Sequence, residues 1–98
     1  MVQQKNKKRT KLEVIKDLLS VLKEHGNVKI THLIYKSNLS YIIIKEYIKD
    51  LTDKGMIKLN TDENEKSFYC ITPKGMQFLR EFEKIKIFSE AYGLETGL

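Results

Sequence analysis

The chain has 98 residues, 41% of them hydrophobic and 32% charged, with a formal net charge of +5. That length supports one domain around one modest core. No apolar run approaches the ~20 residues of a membrane helix, the charged N-terminus lacks the apolar stretch of a secretory signal, and the single cysteine, Cys70, makes no disulfide framework, so a cytoplasmic protein is expected.

The positive charge is concentrated at the start. Residues 1–11 hold Lys5, Lys7, Lys8, Arg9 and Lys11 and no acid, which leaves 13 of the 18 basic residues to face 13 acidic ones. The excess is an N-terminal arm on a nearly neutral body, and residues 1–9 read as flexible. Such an arm binds nucleic-acid phosphates or serves as a solubilising tail; composition fits both.

In chain order, T-K-L-E comes first. Thr10 can cap a helix while Glu13 reaches back to it, and Leu12, Ile15, Leu18, Leu19 and Leu22 follow at helical spacing. Gly26 is a stop, so the first helix covers 11–24. Val28–Ile30 reads as a short extended piece. Thr31 is the expected cap of a second helix over 32–37, and Asn38 suits a left-handed end. In NLSYIIIKEYIKDLTDKGMI, Ser40 is the cap of a third helix and Gly55 its end. At about 100° per residue, Tyr41, Ile44, Tyr47, Ile48 and Leu51 share the core face. Residues 56–60 and 67–71 read as strands joined by the polar turn TDENEK. Thr72 then caps a last helix with Pro73 at its first position, over about 73–92.

This order, helix-strand-helix-helix-strand-strand and a final helix, predicts an α+β, mostly helical winged helix-turn-helix domain over 10–72. Residues 73–98 are expected to form a C-terminal dimerisation helix.

The quoted pieces KLEVIKDLL, IYKSNLSY, YIKDLTDKGMI and YCITPKG together resemble the small archaeal winged-helix DNA-binding proteins, nearest the "10a" class of chromatin-like dimers. The resemblance covers residues 8–83. It implies a third helix in the major groove of DNA, a wing beside the backbone, and a C-terminal helix pairing two subunits as an antiparallel coiled coil. Two departures stand out. The wing carries Asp62, Glu63 and Glu65 against Lys66, and the last helix is shorter than in that class.

Opposite the core, the third helix presents Ile42, Lys45, Glu46, Lys49 and Asp53, with Ile43 at the edge. Lys45 and Lys49 are one turn apart and suit phosphates or guanine edges; Ile42 suits a thymine methyl, a protein partner, or plain exposure. Lys36, Ser37, Asn38, Ser40 and Tyr41 flank the helix start, where free N–H groups favour a phosphate; Ser40 is also a cap, and Tyr41 also a core candidate. In the last helix Phe78, Phe82, Ile85, Ser89 and Tyr92 fall at 4-3-4-3 spacing with Leu79 and Phe88 beside them. That stripe suits a homodimer seam, or a helix folded back on the first.

His25 and His32, in different elements, make no metal spacing with Cys70, which reads as structural. No phosphate loop or nucleophile elbow is present. Neither an enzyme nor a cofactor is expected. The expected function is double-stranded DNA binding, as a transcription regulator or a nucleoid-associated architectural factor. A docking module for proteins is the alternative.

Overall fold

The computed structural model describes residues 10–93. The basic arm with Lys5, Lys7, Lys8 and Arg9, and residues 94–98, lie outside the described residues.

Helix α1 (Lys11–His25) opens with a complete capping box. The Glu13 N–H donates to Thr10 Oγ1 at 3.1 Å, and the Thr10 N–H donates to Glu13 Oε1 at 2.9 Å. Two otherwise unsatisfied donors are thereby answered, a device worth about 1 kcal/mol. One side of α1 builds the core: Leu18, Leu19 and Leu22 are fully buried, with Val14 and Ile15 beside them. Each such leucine contributes about 1.5–3 kcal/mol of burial.

The extended piece reduces to one residue. Val28 exchanges both backbone hydrogen bonds with Tyr69 at 2.9 and 2.7 Å. Helix α2 (Ile30–Ser37) therefore begins two residues earlier than Thr31 capping would allow, and Lys29 stands at its N-cap with no side-chain bond. The bridge holds Val28 in place, and the Lys29 carbonyl already accepts from the His32 and Leu33 N–H groups. Asn38 ends α2 in the left-handed conformation, at φ 61°.

Helix α3 (Tyr41–Asp53) is capped by Ser40, whose Oγ accepts from the Ile43 N–H at 3.3 Å. Ile44, Ile48 and Leu51 are buried and Tyr47 is half-buried. Tyr41 departs from the expected core face: it is 52% exposed. It occupies the first helical position, where the helix has not yet crossed its neighbours. Strand β1 (Ile57–Thr61) starts one residue late, because the Met56 N–H still donates to the Leu51 carbonyl of α3.

β1 pairs antiparallel with β2 (Ser67–Ile71), Ile57 opposite Ile71 and Thr61 opposite Ser67. Asp62 shapes the turn between them by accepting the Asn64 and Lys66 N–H groups, both at 2.9 Å. Helix α4 (Pro73–Ala91) is capped by Thr72. Its third residue, Gly75, passes so close to the wing base that a Cβ would sit 2.4 Å from the Met56 carbonyl oxygen. α1, α2 and α3 close on one core, with Tyr69, Ile71, Phe78 and Leu79 packed against it. The winged helix-turn-helix architecture expected from the element order is the one observed.

Candidate nucleic-acid interface

α3 is pinned by Ile44, Ile48 and Leu51, so its opposite side is open. Ile42 is 71% exposed there, and Lys45, Glu46 and Lys49 are exposed with it. The Lys45 ammonium lies 5.4 Å from the Tyr41 ring centroid, an attraction that holds the two side chains together at the helix start. Lys49 Nζ is 3.1 Å from Asp53 Oδ2, one turn on. Both partners are well exposed, so the pair is weak and a stronger anion can displace Asp53.

The turn before α3 divides the remaining candidates. Lys36, Asn38, Ser40 and Tyr41 are exposed. Ser37 is buried, and its hydroxyl donates to the Ile34 carbonyl at 3.5 Å; it faces the protein, not a ligand. Tyr35, which sequence reasoning did not single out, is 80% exposed on the same helix as Lys36.

Asp50 hydrogen-bonds the Lys54 ammonium. That bond holds its carboxyl below the usual carboxylate range, against a counteracting desolvation, and the charges of Lys54, Lys11 and Lys49 add to the lowering. Lys11, at the start of α1, is exposed and lies within electrostatic reach of Asp50. The acidity of the wing is partly structural, since Asp62 spends its carboxylate on backbone N–H groups. Glu63, Glu65 and Lys66 are exposed at its tip.

A second feature is the cleft between the start of α2 and β2, about 550 Å³, lined by His25, Lys29, His32, Tyr35 and Phe68 among others. The two imidazoles sit edge to face, 5.0 Å apart. The seven-residue spacing does not display this pairing: His25 ends α1, His32 lies in the first turn of α2, and the chain between them is held to β2 by the Val28–Tyr69 bridge. Among the described residues no group of three or more His, Cys, Asp or Glu is placed to hold a metal, and no helix is long and apolar enough to cross a membrane. Cys70 is half-buried and accepts from Asn60 Nδ2 at 3.1 Å.

The stripe of α4 splits. Phe78 and Leu79 pack on the core and Phe82 is buried. Further along, Ile85, Ile87, Phe88 and Tyr92 are exposed, while Ser89 is buried. The Phe88 and Tyr92 rings lie against each other at a tilt of 46°, with centroids 4.8 Å apart.

Comparison with known proteins adds three observations. The winged helix-turn-helix family model matches residues 8–90. Among solved structures, Sso10a-2, a DNA-binding protein from Sulfolobus solfataricus, aligns with 27% identity over 87% of each chain, at a TM-score of 0.72. MepR, a transcription regulator of the Staphylococcus aureus multidrug efflux pump MepA, aligns at 15% identity over 81% of this chain and 60% of its own, with a TM-score of 0.72. A MarR-family transcriptional regulator from Silicibacter pomeroyi aligns at 16% identity over 69% of this chain and 47% of its own, at 0.63. The last two likenesses speak to fold alone. No curated protein matches the chain.

Proposed function

This chain belongs to the winged helix-turn-helix family, and we propose that it binds double-stranded DNA as a regulator or nucleoid-type architectural protein, with α3 in the major groove. The observation that carries this is the open face of α3: Ile42, Lys45 and Lys49 stand on a helix whose other side is locked into the core, so they meet a duplex as a rigid row. An α-helix is the element that fits that groove, and lysine and isoleucine are suited to guanine edges, phosphates and thymine methyls. The similarity to Sso10a-2, a DNA-binding protein, supports the same reading. Lys36, Asn38, Ser40 and Tyr41 would contact the backbone beside the helix start. The basic arm, Lys5 to Arg9, and exposed Lys11 would add phosphate contacts that are blind to sequence.

We further propose that two copies pair through the far half of α4, burying Ile85, Ile87, Phe88 and Tyr92, which one copy leaves exposed. Duplex binding would put the protein in the cytoplasm with the nucleoid.

The test compares three proteins on duplexes of different sequence. Removing residues 1–9 should weaken binding to all of them alike, whereas Lys45→Ala should change the ranking of sequences. An unchanged ranking and unchanged affinity for Lys45→Ala would remove α3 from the groove. Footprinting on genomic DNA then separates discrete regulatory sites from uniform coverage.

A further inference from the structure

Outside the α3 face, the described residues gather imidazole, ammonium and aromatic groups in one place, the cleft beside α2. Its geometry follows from the bridge. β2 runs from the wing turn at Ser67 toward Ile71, and Val28 pairs antiparallel with Tyr69. The chain at Val28 therefore heads toward the wing turn, and α2 starts at that end of the sheet. Tyr69 packs on the core and Val28 is buried, so their neighbours Phe68 and Lys29 lie on the outer side. Lys29 Nζ sits 5.9 Å from the Phe68 ring centroid accordingly.

Onto this corner α1 brings His25 and α2 brings His32. His32 Nε2 is buried and has no hydrogen-bond partner among the described residues. An unanswered buried imidazole nitrogen is costly, and it marks a place where a ligand or water completes the bonding. His25 Nε2 lies 3.6 Å from the Glu24 carboxylate, on a side chain that is mostly solvent-exposed. The charged or titratable groups at the cleft are thus Glu24 and His25 from α1, Lys29 from the bridge, and His32 and Tyr35 from α2; β2 contributes uncharged Phe68. The cleft thus sets one ammonium and two imidazoles against one exposed carboxylate.

We propose that this cleft seats a phosphate oxyanion, and that the phosphate is one of the duplex backbone flanking the groove α3 enters, so that DNA affinity rises as pH falls. The assignment rests on the DNA-binding reading. α2 runs from this cleft to the turn that starts α3, with Tyr35 and Lys36 exposed along the way; in the proposed complex one duplex spans both. The mechanism is linkage: a phosphate beside the imidazoles favours their protonated forms, and protons taken up on binding make the affinity pH-dependent.

The experiment measures duplex affinity of the full chain by fluorescence anisotropy at about pH 8 and about pH 6, at one ionic strength, the interval in which histidine ordinarily titrates. Wild type should bind roughly tenfold tighter at the lower pH, as two partly coupled protons would give. His25→Gln with His32→Gln should abolish most of that gain, and Lys29→Ala, an exposed change that leaves the fold alone, should flatten the salt dependence by about one phosphate contact. Glu24→Gln should tighten binding by a few-fold. Retention of the full pH dependence by the double variant overturns the proposal while leaving duplex binding intact. Absence of duplex binding by every form at low salt overturns the DNA reading itself. In parallel, NMR shifts of the two imidazoles are followed against duplex and against inorganic phosphate. Movement with the duplex supports the assignment; movement with inorganic phosphate alone gives the cleft to a free phosphorylated ligand and overturns it.

Discussion

Asp53→Asn should make this protein bind DNA more tightly. In the structure Asp53 Oδ2 holds Lys49 Nζ at 3.1 Å on the exposed side of α3. Folding stability should barely change, because two small terms oppose. An exposed i,i+4 ion pair is worth about 0.3–0.5 kcal/mol. Asp53 is also the last residue of α3, where a negative charge opposes the helix dipole by a comparable ~0.3–1 kcal/mol. Binding should change more. The substitution removes a negative charge from the face meant for phosphates and frees Lys49 to contact one. A unit interaction at about 4 Å in water is about 1 kcal/mol, which corresponds to about fivefold in affinity. The slope of log affinity against log salt should steepen by about 0.9. The assay is a salt series of anisotropy titrations on one duplex. Glu81→Gln is the control: it makes the same change in net charge but releases Lys84 on α4, 3.4 Å from Glu81. With screening over about 10 Å at ordinary salt, it should have a much smaller effect. Equal effects of the two variants, or weaker binding by Asp53→Asn, would refute the placement of Lys49 toward the duplex.

Three further outcomes are expected. Gly75→Ala should destabilise the fold by about 1–3 kcal/mol in thermal or denaturant unfolding, because the new methyl would meet the Met56 carbonyl at 2.4 Å and Ile71 Cγ1 at 2.7 Å. Phe88→Glu should leave the fold intact and shift the mass seen by light scattering to that of one chain, since Phe88 is 59% exposed and contributes nothing to the core. The Asp50 carboxyl is lowered in the folded state, chiefly by its bond from Lys54, so it contributes stability above its unfolded value near 3.8 and loses that contribution as pH falls through the folded value. Acid titration of unfolding should therefore show a shallower decline below about pH 4 for Asp50→Asn than for wild type.

What the sequence disclosed and what it withheld have separate physical causes. Local chemistry was readable. The Thr10–Glu13 box, the Ser40 cap and the Thr72-Pro73 start each act within four residues, and each stands where the residue pattern puts it. The isoleucine run was readable too, since a helical wheel separates Ile44 from Ile42. Features set by distant pairing were not. The start of α2 follows the meeting of Val28 with Tyr69, 41 positions later, and His25 and His32 flank that meeting. Tyr41 looked like core by angle alone, but at the first position of α3 the neighbouring elements do not reach it, and Lys45 covers its ring instead. In α4 the apolar spacing is continuous, whereas beyond Phe82 the large apolar side chains are exposed and Ser89 is the buried member of the stripe; only packing reveals that Ile85 and Phe88 stay open. Asp62 was counted as a wing charge, and its role as an acceptor for the turn needed coordinates.

The most direct measurement is the affinity of the full chain for a duplex at low and at near-physiological salt. A protein that meets DNA through Lys45, Lys49 and a basic arm should bind at low salt and lose affinity steeply, by about 10³-fold if six phosphates are contacted. Failure to bind at low salt, or binding indifferent to salt, would contradict a duplex-facing α3.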